Sequence, residues 1–263
     1  MILDEIARKT TERIEAEKQH VPLAELKARV NAMPLHRRAD CPYFFEQTIG
    51  KAGICFICEV KKASPSKGVI AENFPYEEIA EEYERAGADA LSVLTEPYYF
   101  QGKDAYLKAI RQRVALPILR KDFTVDAYMI WQAKEMGADA VLLICAILSP
   151  MQLSEYAGLA RELGLSALVE AHDEREIEMA LHAGARIIGV NNRNLKDFTV
   201  DIDNSVRLRR LVPPELLFVS ESGMKTRADI ERLEQNGTSA VLIGETFMRS
   251  PDKAGMLRML AGR

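Results

Sequence analysis

One phrase recurs four times along the chain: a helical pattern ends at a glycine, and a short apolar run follows within a few residues. The four copies are ERAGADALSVL, KEMGADAVLLI, LHAGARIIGV and EQNGTSAVLIG. Their glycines, Gly87, Gly137, Gly184 and Gly237, are 50, 47 and 53 residues apart. Each interval therefore has room for two strand-helix units.

Four further apolar runs stand before and between the repeats: ICFICEVKK, PILRKDF, SALVEA and LLFVSESG. Amphipathic stretches separate the runs, for example PYEEIAEEYERAG, in which Ile79, Ala80 and Tyr83 share a face. Short apolar runs that alternate with helices predict a parallel sheet covered by helices. Eight near-equal units favour closure into an α/β fold of the (β/α)8 TIM-barrel type over an open doubly wound sheet. No GxGxxG follows the first strand, as a dinucleotide-binding sheet would need.

The chain has 263 residues, which fits one barrel of about 250 residues, although length alone would also allow two smaller domains. We predict one domain over 1–263, with 1–47 as an N-terminal helical extension. Apolar positions predict two helices in this extension, joined around Pro22. The extension could cover an edge of the barrel or act as a lid over one opening.

The formal charge of -4 gives no global basic field of the kind that nucleic acid or membrane surfaces attract, so an anion must bind in a local pocket. No apolar run reaches membrane-spanning length, and the charged start lacks the pattern of a secretory signal. We expect a cytoplasmic protein. Strand alternation sends Cys55 and Cys58 to opposite faces, so we interpret both as core residues. The histidines, including His172, show no metal spacing and are interpreted as surface or packing residues.

Polar residues stand at the C-terminal ends of several predicted strands, where barrels of this type carry their catalytic groups. These residues are Glu59, Lys61, Lys121, Glu170, Asn191 and Glu221. One such charge alone is usually a solvated loop residue. Closure of the barrel, however, would bring all of them into one cavity. Their mixture of acids and bases is suited to proton transfer.

A phosphate site is predicted at the ends of the last two strands. Glu221-Ser222-Gly223 follows the seventh strand and Gly244-Glu245-Thr246 follows the eighth. In many barrels these two loops, with the N-terminus of a short helix, present backbone N–H groups to a phosphate. Glycine permits the close approach of the backbone to the anion.

Taken in order, these motifs resemble the indole-3-glycerol-phosphate synthase family of tryptophan biosynthesis. The similar segments are ILDEIARK, ICEVKKASPSKG, ILRKDF, LLICAIL, ALVEAH, IGVNNRNL, VSESG and VLIGETFMR, which together span nearly the whole chain. The resemblance implies a carboxy-lyase that converts 1-(2-carboxyphenylamino)-1-deoxyribulose 5-phosphate into indole-3-glycerol phosphate, with loss of CO2 and water. It implies a phosphorylated small molecule as the binding partner and no cofactor or metal.

The resemblance also implies roles for individual residues. The implied catalytic set is Glu59, Lys61, Lys121, Glu170, Asn191, Glu221 and Ser222. The implied phosphate segments contain Ser64, Gly223, Gly244 and Glu245. Arg193, with Asn191, would face the anthranilate carboxylate, and Phe123 and Leu195 would face the aromatic ring. Some family members have Ser where Glu245 stands, so a direct contact of the Glu245 side chain with phosphate is not expected.

The chemistry of ring closure agrees with these residue types. Attack of an aromatic carbon on the ketone places negative charge on its oxygen, which a cation offsets. Lys121 is our choice for the general acid and Lys61 for holding a substrate anion, with Glu170 and Glu59 as candidates for the acid and base of dehydration. The sequence leaves open which lysine acts in which step. A Schiff-base aldolase acting on a sugar phosphate and a non-catalytic ligand-binding barrel are the alternatives.

Overall fold

The computed structural model describes residues 2–33, 41–194 and 198–263. Eight parallel strands close into a barrel in which each strand pairs with its neighbours in chain order and the last pairs with the first. The strands are β1 (Cys55–Val60), β2 (Ala90–Leu94), β3 (Ile118–Lys121), β4 (Ala140–Ile144), β5 (Ser166–Ala171), β6 (Ile187–Asn191), β7 (Leu217–Glu221) and β8 (Ala240–Ile243). The eight apolar runs of the sequence thus form the eight strands, and the predicted barrel is confirmed.

Helices surround the strands and also precede the first one. In the described residues they are α1 (Ile2–His20), α2 (Leu23–Ala32), α3 (Phe44–Ile49), α4 (Tyr76–Ala86), α5 (Asp104–Arg113), α6 (Ala127–Met136), α7 (Pro150–Glu162), α8 (Glu174–His182), α9 (Asp203–Leu208), α10 (Arg227–Gln235), α11 (Glu245–Arg249) and α12 (Lys253–Ala261). Two repeat glycines end α4 and α6 in the left-handed conformation, Gly87 with φ 92° and Gly137 with φ 83°. Because a side chain is strained there, glycine at these positions ends the helix and turns the chain into the next strand.

Alternation along the strands divides the apolar side chains into two layers. Cys58 belongs to the layer between the strands and the surrounding helices. Cys55 and Ile57 belong to a separate cluster inside the barrel. The two cysteines therefore lie on opposite faces of β1, as predicted, and both are free thiols.

The first two helices lie at different places on the barrel. Helix α1 lies at one opening, where a lid would lie, and α2 covers part of the outer surface. On α1, the guanidinium of Arg13 donates to both carboxylate oxygens of Asp122, at 3.0 and 3.1 Å, directly after β3 ends. This contact holds α1 at the C-terminal opening of the barrel. Leu26 of α2 instead packs with Tyr128 and Met129 of α6 on the outside.

The short helix α3, which the sequence did not predict, closes the opposite end of the barrel. It spans residue 47, at which the N-terminal extension was predicted to end. Its Phe45 and Ile49 are fully buried in the interior cluster. The backbone N–H of Glu46 donates to Ser166 Oγ at the start of β5, and its carboxylate pairs with Arg186, just before β6. The barrel therefore opens only at the C-terminal ends of its strands within the part of the chain described.

Candidate active site at the barrel mouth

A cavity of about 470 Å³ lies at the C-terminal ends of the strands. It is lined by every predicted site residue that the structure describes: Glu59, Lys61, Ser64, Lys121, Phe123, Glu170, Asn191, Arg193, Glu221, Ser222, Gly223, Gly244 and Glu245. Leu195 lies outside the described residues. The predicted convergence of these strand ends is thus observed in one cavity.

Lys121 lies between two carboxylates in this cavity. Its Nζ donates to Glu170 Oε2 and to Glu221 Oε2, each at 2.9 Å. Burial disfavours the charge of Lys121, but the two carboxylates outweigh it and raise the pKa of the ammonium above its ordinary value. The cavity therefore contains a fixed cation that remains protonated at neutral pH.

Both carboxylate oxygens of Glu170 have polar neighbours. Besides the Lys121 contact, its Oε1 lies 3.4 Å from Asn191 Nδ2 and 3.3 Å from His172 Nε2. Burial favours its neutral form, but Lys121 and His172 outweigh burial and lower the pKa of this carboxyl below its usual range. Glu170 is consequently an ionised carboxylate available as a base.

Glu221, the second carboxylate on Lys121, has a different environment. Its Oε1 is buried without a hydrogen-bond partner in the described structure. Burial, together with nearby Glu170, outweighs the attraction of Lys121 and raises the pKa of Glu221 to about 7. Of the two carboxyls that contact Lys121, Glu221 is therefore the one that can carry a proton near neutral pH.

Two glycines make space for the buried carboxylates. A Cβ on Gly189 of β6 would meet Glu221 Oε1 well inside 3.0 Å, and one on Gly244 would collide with Glu59 Oε1. Gly189 lies opposite Glu170 in the sheet register. Glycine fits both positions because the buried carboxylates of Glu221 and Glu59 occupy the space that a side chain there would need.

Glu59 and Lys61 form an ion pair on the other side of the cavity. Glu59 is almost fully buried, whereas the Lys61 side chain retains some exposure toward the mouth. Both side chains point into the cavity, as strand alternation predicted. Lys61 is therefore available to an anion that enters from the opening.

The predicted phosphate loops lie at the rim of the same cavity. Gly244 precedes α11, whose first-turn N–H groups have no helical acceptor. Ser222 and Gly223 both have positive φ, 68° and 100°. Asn192 Nδ2 donates to the Ser222 carbonyl at 3.0 Å, and Ser222 N donates to the Leu242 carbonyl at 3.3 Å, so this unusual loop conformation is held on both sides. A strained backbone of this kind is often found at functional sites.

The carboxylate of Glu245 lies among cations at this rim. Its oxygens are 3.4 Å from Arg193 Nη2, 3.3 Å from Arg249 Nε and 3.7 Å from Lys67 Nζ. The sequence analysis expects no direct contact between the negatively charged Glu245 side chain and phosphate. In the structure, these three cations offset that negative charge. Arg193 lies beside Asn191, and its backbone N–H donates to Asn191 Oδ1 at 3.0 Å.

An aromatic pair forms part of the apolar wall. Phe123 packs against Phe100 with ring centroids 6.0 Å apart. Phe100 belongs to the loop after β2, where Glu96 accepts the backbone N–H groups of Tyr98, Tyr99 and Phe100. Sequence reasoning found Phe123 through its resemblance but missed Phe100, because a loop residue has no periodic pattern to mark it.

His172, which the sequence analysis interprets as a surface or packing residue, has a mostly buried side chain next to Glu170. The ring lies between Glu170 and Glu176. Burial lowers the stability of the imidazolium, but the negative charges of these two carboxylates outweigh burial and raise its pKa to about 10. The sequence did indicate that His172 lies near Glu170, because residues two apart in an extended chain point to the same side.

No group of three or more His, Cys, Asp or Glu side chains among the described residues could hold a metal ion. None of the described helices is long and apolar enough to cross a membrane.

Comparison with known proteins identifies relatives along the whole chain. The family model described as indole-3-glycerol phosphate synthase matches residues 3–260. Curated proteins of that name include one from Ruminiclostridium cellulolyticum, 54% identical over 262 residues that cover 100% of this chain and 99% of the relative. Another, from Endomicrobium trichonymphae, is 53% identical and covers 99% of both chains.

Solved structures with low sequence identity share the barrel. The 3-hexulose-6-phosphate synthase from Salmonella typhimurium aligns with a TM-score of 0.66 at 14% identity, covering 80% of this chain and 97% of that one. The thiamine phosphate pyrophosphorylase from Pyrococcus furiosus aligns with a TM-score of 0.61, also at 14% identity, covering 83% and 96%. At such identity these matches support the fold alone.

Proposed function

The chain belongs to the indole-3-glycerol phosphate synthase family. We propose that different residues at the mouth of its barrel act in the successive steps of that family's reaction. The reaction closes 1-(2-carboxyphenylamino)-1-deoxyribulose 5-phosphate to indole-3-glycerol phosphate, with loss of CO2 and water. The chain is thus a carboxy-lyase of tryptophan biosynthesis. The observation that carries the proposal is the placement of Lys121, 2.9 Å from both Glu170 and Glu221.

Lys121 is the general acid of ring closure. When the aromatic carbon attacks the ketone, the carbonyl oxygen becomes an alkoxide, and a buried cation stabilises that charge as it forms. The raised pKa of Lys121 does not prevent proton transfer, because the alcohol that forms is a weaker acid than an ammonium group. Glu170 and Glu221 keep the ammonium in place before the substrate arrives.

Glu170 is the base of the dehydration step. Its lowered pKa keeps it ionised, so it can accept the proton that must leave the substrate carbon. Of the carboxyls that contact Lys121, Glu221 is the one with a pKa near 7, and it therefore supplies a proton to the departing hydroxyl more readily than Glu170. Glu59, which the sequence analysis names with Glu170 as a candidate for the acid and base of dehydration, instead pairs with Lys61 and orients it.

Substrate anions and the aromatic ring bind around this centre. Lys61 and the backbone donors at Gly223, Gly244 and Glu245 hold the phosphate end, with Ser64 at the same rim. Arg193 and Asn191 face the anthranilate carboxylate. The phenyl rings of Phe123 and Phe100 contact the aromatic ring of the substrate.

Two further expectations enter the proposal. Residues 1–263 form one domain, and the contact of Arg13 with Asp122 supports the attachment of the helical extension to the barrel. The enzyme acts in the cytoplasm, as its biosynthetic pathway suggests.

Steady-state kinetics with the natural substrate test the division between the lysines. Lys121→Met is expected to lower kcat with little change in KM, because phosphate and carboxylate contacts remain. Lys61→Met is expected to raise KM as well, since a substrate anion loses its partner. Lys51→Met, which removes an exposed lysine at the far end of the barrel, is the control. A raised KM for Lys121→Met with unchanged kcat would reverse the two assignments.

A further inference from the structure

Three side chains form a continuous line from the cavity to the outer side of the barrel mouth. His172 Nε2 lies 3.3 Å from Glu170 Oε1, and His172 Nδ1 lies 3.0 Å from Glu176 Oε2. Glu170 faces the cavity, whereas Glu176 belongs to the first turn of α8. The imidazole ring thus connects the proposed base to that helix.

The backbone fixes the position of the ring. The N–H of His172 donates to Glu176 Oε2 at 2.8 Å, and its carbonyl accepts from Asn204 Nδ2 at 3.3 Å. Asp173 caps α8 by accepting the N–H of Glu176 at 2.9 Å. The loop that carries His172 is therefore held by α8 on one side and α9 on the other.

Each oxygen of Glu170 has its own partners. Oε2 accepts from Lys121, and Oε1 faces His172 and, at 3.4 Å, the amide of Asn191. The Asn191 contact is long and uncharged. Without the imidazole, nothing charged would hold Oε1, and the carboxylate could rotate away from the position in which Lys121 and the substrate meet it.

We propose that His172 is a positioning residue for the ring-closure enzyme: as an imidazolium held by Glu176, it orients the Glu170 carboxylate and keeps it ionised. The proposal rests on the role of Glu170 as base given above. His172 contacts no reacting atom in this arrangement and acts only through Glu170. Glu176 acts one step further out, through His172.

The charges around the ring determine how this arrangement responds to pH. Glu170 and Glu176 face it directly, Asp173 follows it in the chain, and Lys121 lies beyond Glu170. The two facing carboxylates raise the pKa of the imidazolium to about 10 despite burial. A raised pKa means that the charge is complete at neutral pH and is lost as pH rises through that value. The positioning effect therefore persists through neutrality and fails only in alkali.

His172→Gln tests the first half of the proposal, because the amide keeps a polar group but never carries a charge. We expect kcat to fall about tenfold, since the base is misplaced, while KM changes less than about twofold. We also expect the acidic limb of the kcat–pH profile to move to higher pH by about one unit, because a lost neighbouring cation raises the pKa of a carboxyl. A purely structural role would lower kcat equally at all pH values.

Glu176→Gln tests the second half and predicts the opposite pH signature. Loss of this carboxylate lowers the pKa of His172, so the alkaline limb is expected to move toward neutrality by about one unit. Glu178→Gln, an exposed position on the same helix, is the matched control and is expected to leave the profile unchanged. In the His172→Gln background, Glu176→Gln should produce no alkaline shift, because the group that titrates is gone.

Unchanged pH limbs in both folded single variants would overturn the positioning role. An alkaline shift that persists in the double variant would also overturn it, since another group would then be titrating. Glu170→Gln distinguishes a failure of the base assignment from a failure of the positioning role of His172. If that variant retains normal kcat, the base assignment itself fails; if it is inactive while His172→Gln behaves as wild type, only the positioning role fails.

Discussion

The two ends of the barrel interior are buried to the same extent but contain opposite chemistry. At the N-terminal end, Phe45 and Ile49 of α3 pack with Cys55 and Ile57 in an apolar cluster. At the C-terminal end, Lys121 lies among carboxylates that are at most a few per cent exposed. Burial alone therefore does not distinguish the part of the barrel that stabilises the fold from the part that performs the reaction.

On four strands, an apolar inward-facing side chain is followed two residues later by a charged one. Successive inward-facing residues on four strands are Ile57 and Glu59, Leu119 and Lys121, Leu168 and Glu170, and Val219 and Glu221. Apolar burial contributes stability at one end. Buried charges cost free energy unless they are paired, and at the other end the ion pairs offset that cost. Because the strands are parallel, all these charged residues lie at the same opening of the barrel.

The sharpest test of this division is the deletion of a large side chain at the closed end. Phe45→Ala is expected to lower the free energy of unfolding by about 3–5 kcal/mol, because a fully buried phenyl group leaves a cavity. The kcat and KM of the folded enzyme should be unchanged. Urea unfolding gives the first quantity, and kinetics at a temperature where the variant is folded give the second. A large change in KM would show that the two ends are coupled.

A methyl group added at the open end should have the reverse effect. Gly189→Ala places a Cβ against Glu221 Oε1 and forces that carboxylate away from Lys121. We expect kcat to fall about 10- to 100-fold, as small misplacements of catalytic groups commonly do. The cost in stability should be only about 1–3 kcal/mol.

Gly158→Ala provides the control for this substitution. Gly158 lies within α7, and a Cβ there meets nothing within 4 Å. It should leave kcat unchanged and stabilise the helix by about 0.5–1 kcal/mol. Equal kinetic losses in both glycine variants would contradict the assignment of Gly189 to the space of Glu221.

The smallest expected effect concerns the rim of the mouth. Glu245→Gln removes a negative charge that pairs with Arg193, Arg249 and Lys67. With these cations released, we expect KM for the phosphorylated substrate to fall about two- to fivefold, in keeping with a partly exposed ion pair. The effect should shrink at high salt. A rise in KM would mean that Glu245 helps to hold the cations in the binding position.

The sequence predicted the barrel and the converging strand ends because both follow from short-range periodicity. A period of two places Glu59 and Lys61 on one side of their strand, and parallel strands bring Lys121, Glu170 and Glu221 to one opening. The repeat glycines marked the helix ends for the same reason, since a local conformation requires them.

The remaining features depend on contacts between distant parts of the chain. Arg13 and Asp122 are 109 residues apart in the sequence, and no local pattern relates them. The need for glycine at position 189 arises from Glu221 on the neighbouring strand. The positive φ of Ser222 is imposed by surrounding hydrogen bonds, since serine itself does not favour it.

Single-turnover kinetics of Lys121→Met with enzyme in excess of substrate test the central assignment most directly, because product release then no longer hides the chemical step. General acid catalysis contributes typically about 10²–10⁴-fold, and the appearance of indole absorbance in the folded variant should slow by about that factor. The affinity for the substrate should change much less. Near-normal single-turnover ring closure would remove Lys121 from the acid role and assign that role to Lys61.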